Sequence, residues 1–247
     1  MEGAVLCWGV VFMPVKLFVL GRPGAGKSYA VRYIAGYLEK RDNSSIHIND
    51  YHFLYAHFRK DANKQNKRFH SDGYGGFVID DEKVFDEALE YIKSEAVKHF
   101  DLELDDLVII EFARSDYSIA LQTFDPEFLR DAYFLFIDAD IEICIKRLNK
   151  RIRRRKFPDD HHISEEVMRK FYIEDNRLYM MVGLLDDYHL DNRQVKIVDN
   201  TGSIEDFELT ITNFIDYLIF LEKEDSKLRE TDPIQITVGR PNPEIAK

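Results

Sequence analysis

A parallel β-sheet covered by helices on both faces is the fold class that this sequence predicts. Three observations predict it: short apolar runs rich in Val, Ile and Phe recur along the chain, helical patterns separate them, and a glycine-rich turn joins the first run to the first helix.

The elements follow in order. Val15 to Leu20 is the first run, short enough for a strand buried on both faces, and Lys27 to Lys40 carries the first helical pattern. Ile46 to Ile48 is the second strand. Tyr51 to Asp80 is different in kind: polar and aromatic, with Gly73, Gly75 and Gly76 and the cations Lys60, Lys64, Lys67 and Arg68, it reads as an acceptor-binding insertion or a mobile loop. Asp81 to His99 returns to helical spacing, with Val84, Phe85, Ala88, Leu89, Ile92, Ala96 and Val97 on one stripe. Leu107 to Phe112 and Ala132 to Asp138 are the third and fourth strands, and Ile141 to Arg155 and Glu165 to Leu185 are the next helices. Val195 to Val198 is the last strand. Ile204 to Glu222 is the last helix, opened by Ser203 with Asp206 three residues later in the manner of a capping box.

Composition narrows the partners. The chain has 247 residues, 45% of them apolar, enough for one domain with its own core. The balance of 34 Lys and Arg against 45 Asp and Glu leaves a net charge of -11, which repels a polyanion unless cations gather locally, so a general nucleic-acid binder is disfavoured. Cys7 and Cys144 lie far apart, and Cys144 sits in an apolar helical stretch, the pattern of a reduced, buried thiol in a cytoplasmic protein. Ala4 to Met13 is mostly apolar but lacks a basic flank and is too short to span a bilayer; residues 1–12 read as an extension from an upstream start, with no membrane role. Residues 13–223 form the expected domain, and 224–247 a polar tail.

GRPGAGKS at Gly21–Ser28 fits GxxxxGK[ST], directly after a strand and directly before a helix. Such a loop turns backbone N–H groups inward around a β-phosphate, and the helix starting near Gly26 adds its positive end. Lys27 reaches β and γ oxygens, while Ser28 offers its hydroxyl to magnesium. ATP with Mg2+ is therefore the expected ligand, contacted by Gly21, Pro23, Gly24, Ala25, Gly26, Lys27, Ser28 and Tyr29.

The loop, the strand ending at Asp50, the acidic strand end at Glu111, the arginine-rich segment Arg147 to Lys156 and VDNTGS at Val198 to Ser203 together resemble the nucleoside and nucleoside monophosphate kinase branch of P-loop proteins. The resemblance covers about residues 15–220. It implies a three-layer P-loop kinase fold with a five-stranded parallel sheet in the order 2-3-1-4-5, and a lid at about residues 150–164.

Asp50 ends a strand in IHINDYHF, which places its carboxylate at the sheet edge where the phosphates lie. It resembles the acidic residue of uridine kinase-like enzymes that accepts a proton from the acceptor hydroxyl; an N-cap for a helix beginning at Tyr51 is the other reading. Glu111 ends LVIIE and suits a Walker-B-like role, holding magnesium or orienting the acceptor. EFARS loosely resembles the ERS segment of deoxynucleoside kinases, departing by the inserted Phe112 and Ala113, so Arg114 either meets the acceptor or pairs with Glu111.

KRLNKRIRRRK at Lys146 to Lys156 sets Arg147, Arg151 and Arg154 or Arg155 on one helical face, where guanidinium groups can clamp a transferring phosphoryl group. The segment resembles the lid arginines of nucleotide kinases and assigns Arg151 and Arg155 a catalytic part; a solvated basic helix and a nucleic-acid patch are the other readings. Asp159, Asp160, His161 and His162 are consecutive and do not converge on one ion. His52 and His57 either line an acceptor pocket or pack an amphipathic turn. Asn200 either passes the adenine, as its counterpart does in nucleotide kinases, or belongs to a plain turn.

These residues point to a kinase acting on a nucleoside, a nucleotide or another small acceptor. Two rivals stand beside it: a kinase of nucleic-acid ends or sugar nucleotides, as in zeta-toxin-like relatives, and a regulatory ATP-binding module without a small-molecule acceptor. The oligomeric state, a dimer included, is left open.

Overall fold

The computed structural model describes residues 14–61, 67–73, 76–102, 105–152 and 163–231. Residues 1–12, Arg154, Arg155, Asp159 to His162 and the tail beyond 231 lie outside them.

The main sheet contains β1 (Val15–Leu20), β2 (Ser45–Asn49), β5 (Leu107–Glu111), β6 (Ala132–Asp138) and β7 (Val195–Asp199), all parallel, in the spatial order β2-β5-β1-β6-β7. A separate antiparallel hairpin, β3 (Phe69–Ser71) and β4 (Phe77–Ile79), accounts for the two missing numbers. Counting only the parallel strands, the order is the expected 2-3-1-4-5.

Alternation explains the layers. Leu17, Val19, Leu107, Ile109, Leu135 and Ile137 point to one face, where α1 (Lys27–Glu39) and α9 (Ile204–Thr231) cover them. Phe18, Leu20, Val108, Ile110, Phe134 and Phe136 point to the other, beneath α3 (Lys83–Leu102), α4 (Tyr117–Ala120), α5 (Pro126–Arg130) and α8 (Leu184–Tyr188). Phe18 stacks on Phe134 at 5.1 Å and meets the edge of Phe124 at 5.0 Å, the offset and edge-on geometries that aromatic quadrupoles favour. Lys16 breaks the apolar run of β1 and is still buried, because its ammonium lies 4.6 and 4.7 Å from the rings of Phe100 and Phe128.

The helix after the phosphate loop is held in register by tyrosines. Tyr29, Tyr33 and Tyr37, one helical turn apart on α1, bond to Glu208, Thr212 and Asp216 on α9, at 2.8 Å for Tyr33 and 2.5 Å for Tyr37.

Two expectations are corrected. Within the stretch 51–80, the described residues hold a helix, α2 (Tyr51–Asp61), packed on the hairpin, where a mobile loop was one of the two expectations. Tyr51, Leu54 and Phe58 recur at helical spacing and form a small aromatic core with Phe69 and Phe77, a periodicity hidden by the polar residues between them. The helix expected over Glu165 to Leu185 is broken: α7 (Glu165–Phe171) stops, an irregular turn follows, and a π-helical turn over Tyr179–Gly183 leads into α8. The break has a cause in the phosphate loop. Arg22 Nε and Nη2 donate to the carbonyls of Tyr172 and Ile173 at 2.8 and 3.0 Å, and a continuing helix would use those carbonyls itself. α6 (Ile141–Ile152) begins as expected, and α9 runs past Glu222 to Thr231.

Candidate nucleotide site and its carboxylates

The loop Gly21 to Ser28 leaves β1 at the carboxyl edge of the sheet and enters α1. Close backbone approach demands its glycines. Gly24 has φ +80, and a Cβ there would lie 2.7 Å from the Cys144 carbonyl oxygen; Gly26 has φ +114, and a Cβ would lie 2.3 Å from Asn200 Nδ2. Asn200 donates to the Ala25 carbonyl at 2.6 Å, and Arg147 braces both sides, donating to Asn200 O at 2.6 Å and Ala25 O at 3.3 Å. Arg147 thus ties the first turns of α6 to the loop, while Asn200 sits against its backbone.

Lys27 is buried, and its Nζ donates to the carbonyls of Gly21 and Arg22, both at 3.0 Å. Burial holds its pKa below the ordinary lysine value, opposed by the nearby charges of Glu111 and Asp50. Arg151 lies close enough to Lys27 to act on it electrostatically. Ser28 Oγ donates to Glu111 Oε1 at 2.8 Å, and His47 Nε2 lies 2.9 Å from Glu111 Oε2. Burial alone would raise the pKa of Glu111, but His47, Lys27 and Ser28 outweigh it and the net shift is downward. A hydroxyl beside an ionised, buried carboxylate is an oxygen-only donor set, which fits Mg2+.

Asp50 makes no capping bond to α2 with its carboxylate. It stands at the start of α2, where its carbonyl accepts from Leu54 N at 3.0 Å, but Asn49 Oδ1 accepts from Tyr51 N and the Asp50 carboxylate turns to Arg114 Nη1 at 2.7 Å. Arg114 therefore pairs with Asp50 and not with Glu111. Its guanidinium lies over the Phe85 ring at 5.0 Å and donates to the carbonyls of Phe85 and Ala113. Burial pushes the Tyr172 hydroxyl up to about 12, with Arg114 and Asp50 both near enough to act on it. The geometry thus gathers Lys27, Ser28, Asp50, Glu111, Arg114 and Arg151 at one edge.

Other expected residues sit elsewhere. His52 is exposed and lines a small groove along the edge strand β2 with Tyr91, Glu95 and His99. Tyr29 turns away from the loop toward Glu208 and the Phe207 ring. Arg155 lies outside the described residues.

Three groups had not been singled out. His47 backs Glu111, Arg22 ties the loop to residues 172 and 173, and Tyr117 latches the loop's first residue. The buried Tyr117 hydroxyl accepts from Gly21 N at 2.8 Å and lies 3.1 Å from the carbonyls of Gly21 and Phe112. Tyr117→Phe leaves the Gly21 amide without that acceptor, and the expected loss is about 1–3 kcal/mol of unfolding free energy. Denaturant melts with and without ATP check it; a variant as stable as the parent would show that the latch contributes nothing.

No protein-family model and no curated protein matches the chain. Solved structures do. Kti12 from Chaetomium thermophilum, in complex with ADP-AlF3, is 12% identical over 82% of this chain and 98% of its own, with a TM-score of 0.52. A gluconokinase from Sinorhizobium meliloti is 12% identical over 87% of this chain and 98% of its own, with a TM-score of 0.48. Shikimate kinase from Bacteroides thetaiotaomicron is 17% identical over 83% of this chain and 98% of its own, with a TM-score of 0.44. With Kti12 the chain shares its α/β fold, here a five-stranded parallel sheet with the phosphate loop between β1 and α1. Among the described residues, no helix is long and apolar enough to cross a membrane.

Proposed function

We propose that this chain is an ATP- and magnesium-dependent phosphotransferase acting on a small hydroxyl or phosphate acceptor, a nucleoside or nucleotide in the first instance. The observation that carries the reading is the gathering of carboxylates at the sheet edge beside the loop: Glu111, ending β5, accepts from the loop's Ser28 at 2.8 Å, and Asp50, directly after the neighbouring β2, pairs with Arg114 at 2.7 Å. Nucleotide binding falls to the loop backbone, Lys27 and Ser28, with Asn200 behind the loop. Bound magnesium would neutralise charge on the β and γ oxygens, and Ser28 and Glu111 are the residues that would hold it. Lys27 orients the phosphates, Arg151 brings a further cation to the same edge, and Asp50, steadied by Arg114, accepts the proton of the acceptor hydroxyl.

The test is ATP consumption by the purified chain against nucleosides, nucleoside monophosphates, sugars and oligonucleotide ends, with products resolved by mass. A phosphorylated product is expected among the small acceptors. Phosphate on oligonucleotide ends alone would transfer the site to a nucleic-acid kinase.

A second reading, a regulatory ATP-binding module, is favoured by one contact. Arg22, inside the loop, holds the carbonyls of Tyr172 and Ile173, so occupancy of the loop has a direct mechanical route to the surface segment that follows. ATP binding with no acceptor gaining phosphate is its expected signature.

A further inference from the structure

The segment that follows the Arg22 contact is apolar on both of its sides. Met180, Leu184 and Tyr188 turn inward and are buried in the core. Leu178, Met181 and Val182 turn outward and are 73%, 50% and 50% exposed, with the half-buried Leu185 continuing the row. Ile119, 66% exposed, stands on α4, which packs against the same π-helical turn. A helix on a protein surface ordinarily carries polar side chains outward, and one that is apolar all round belongs in an interior. A row of large aliphatic groups left in water forgoes about 25 cal/mol for every Å² it could bury. Scattered exposed apolar residues are ordinary, whereas several on successive turns of one short segment mark a contact surface.

Charge selects the occupant. Asp175, Asp186 and Asp187 border the row and are exposed, while the neighbouring cation, Arg177, is already paired with Asp138 at 2.5 Å. The whole chain carries a net charge of -11. A second copy would bring the same aspartates against these, and like charges facing each other at a closing rim oppose association. A helix with aliphatic residues on one side and Lys or Arg flanking them would cover the row and pair the rim.

We propose that Leu178, Met181 and Val182 form the docking surface for a basic amphipathic helix of a partner protein, with Asp175 and Asp186 receiving its cations. None of these residues is given a part in phosphate transfer, so the proposal holds whether or not the chain transfers phosphate.

The experiment uses the full chain and a labelled synthetic peptide of about five helical turns, with leucines on one face and lysines elsewhere, at moderate salt. A matched peptide with every lysine replaced by glutamate, and a peptide of the lysine composition with its order permuted, serve as controls. Fluorescence anisotropy is expected to show saturable binding of the amphipathic lysine peptide alone. Leu178→Ser combined with Val182→Ser leaves charge unchanged and is expected to weaken binding about tenfold or more. Met181→Lys is a second variant for the same surface, and circular dichroism checks that both keep the parent's helix content. Asp175→Asn with Asp186→Asn is expected to weaken binding and flatten its salt dependence. Undiminished binding by the folded serine or Met181→Lys variants overturns the proposal, as does equal binding of the permuted or glutamate peptide. A wild-type dimer in sedimentation that the serine variant dissolves also overturns it, by assigning the row to a second copy.

Discussion

Lys27→Ala is expected to lower ATP turnover by about 10²–10³-fold, the usual cost of removing one preorganised charge from a transferring group. Two properties of the site make the effect this large. The ammonium is buried, so its field is little screened by water, and it is the cation on which both Glu111 and Asp50 act. Without it, the carbonyls of Gly21 and Arg22 lose a donor, and two carboxylates face the phosphate site with less to balance them. Lys27→Arg is expected to restore little, because a planar fork does not fit where a compact ammonium reaches two carbonyls at 3.0 Å. Calorimetric titration with ATP, run beside the turnover assay, separates lost binding from lost chemistry. Turnover equal to the parent's would mean that nucleotide is not held on this loop.

The parts of the site that sequence made legible are those that depend on local spacing. The loop is a contiguous pattern with a strand before it and a helix after it, and Asp50 and Glu111 close apolar runs in a chain whose alternation implies a parallel sheet, which brings strand ends to one edge. Partners across the fold were not legible. Arg114 had the acceptor or Glu111 as its expected partner, and only the placement of β2 beside β5, with Asn49 opposite Glu111, brings Asp50 to it instead. His47 carried a weak signal as the one imidazole inside SIHIN, but its contact with Glu111 follows from that same register. Tyr117 reaches a loop 96 residues away, a distance no pattern reports. The stretch after Phe171 shows the opposite failure: helical spacing was present, but Arg22 takes the carbonyls that would have continued it.

Asp50→Asn separates the two functional readings. The amide keeps an oxygen that can accept from Arg114, so the variant removes the charge and the proton acceptor while leaving the shape of the contact. For a phosphotransferase with Asp50 as base, transfer to the acceptor is expected to fall by about 10²–10⁴-fold, while ATP still binds the loop. For a regulatory module, binding and slow hydrolysis of ATP would be unaffected. Stability must be read at the same time. Side chains of Arg114 and Asp50 are only 11% and 19% exposed, and a guanidinium deprived of its counter-charge at such a site is destabilising, though the retained hydrogen bond offsets part of the loss. Rates are therefore compared well below the melting temperature of the variant, with products resolved by mass. Transfer at the parent's rate would remove Asp50 from the chemistry and make Glu111, beside Ser28, the next carboxylate to test. A fall in ATP affinity matching the fall in rate would instead mean that Asp50 acts on the loop through the charge of Lys27.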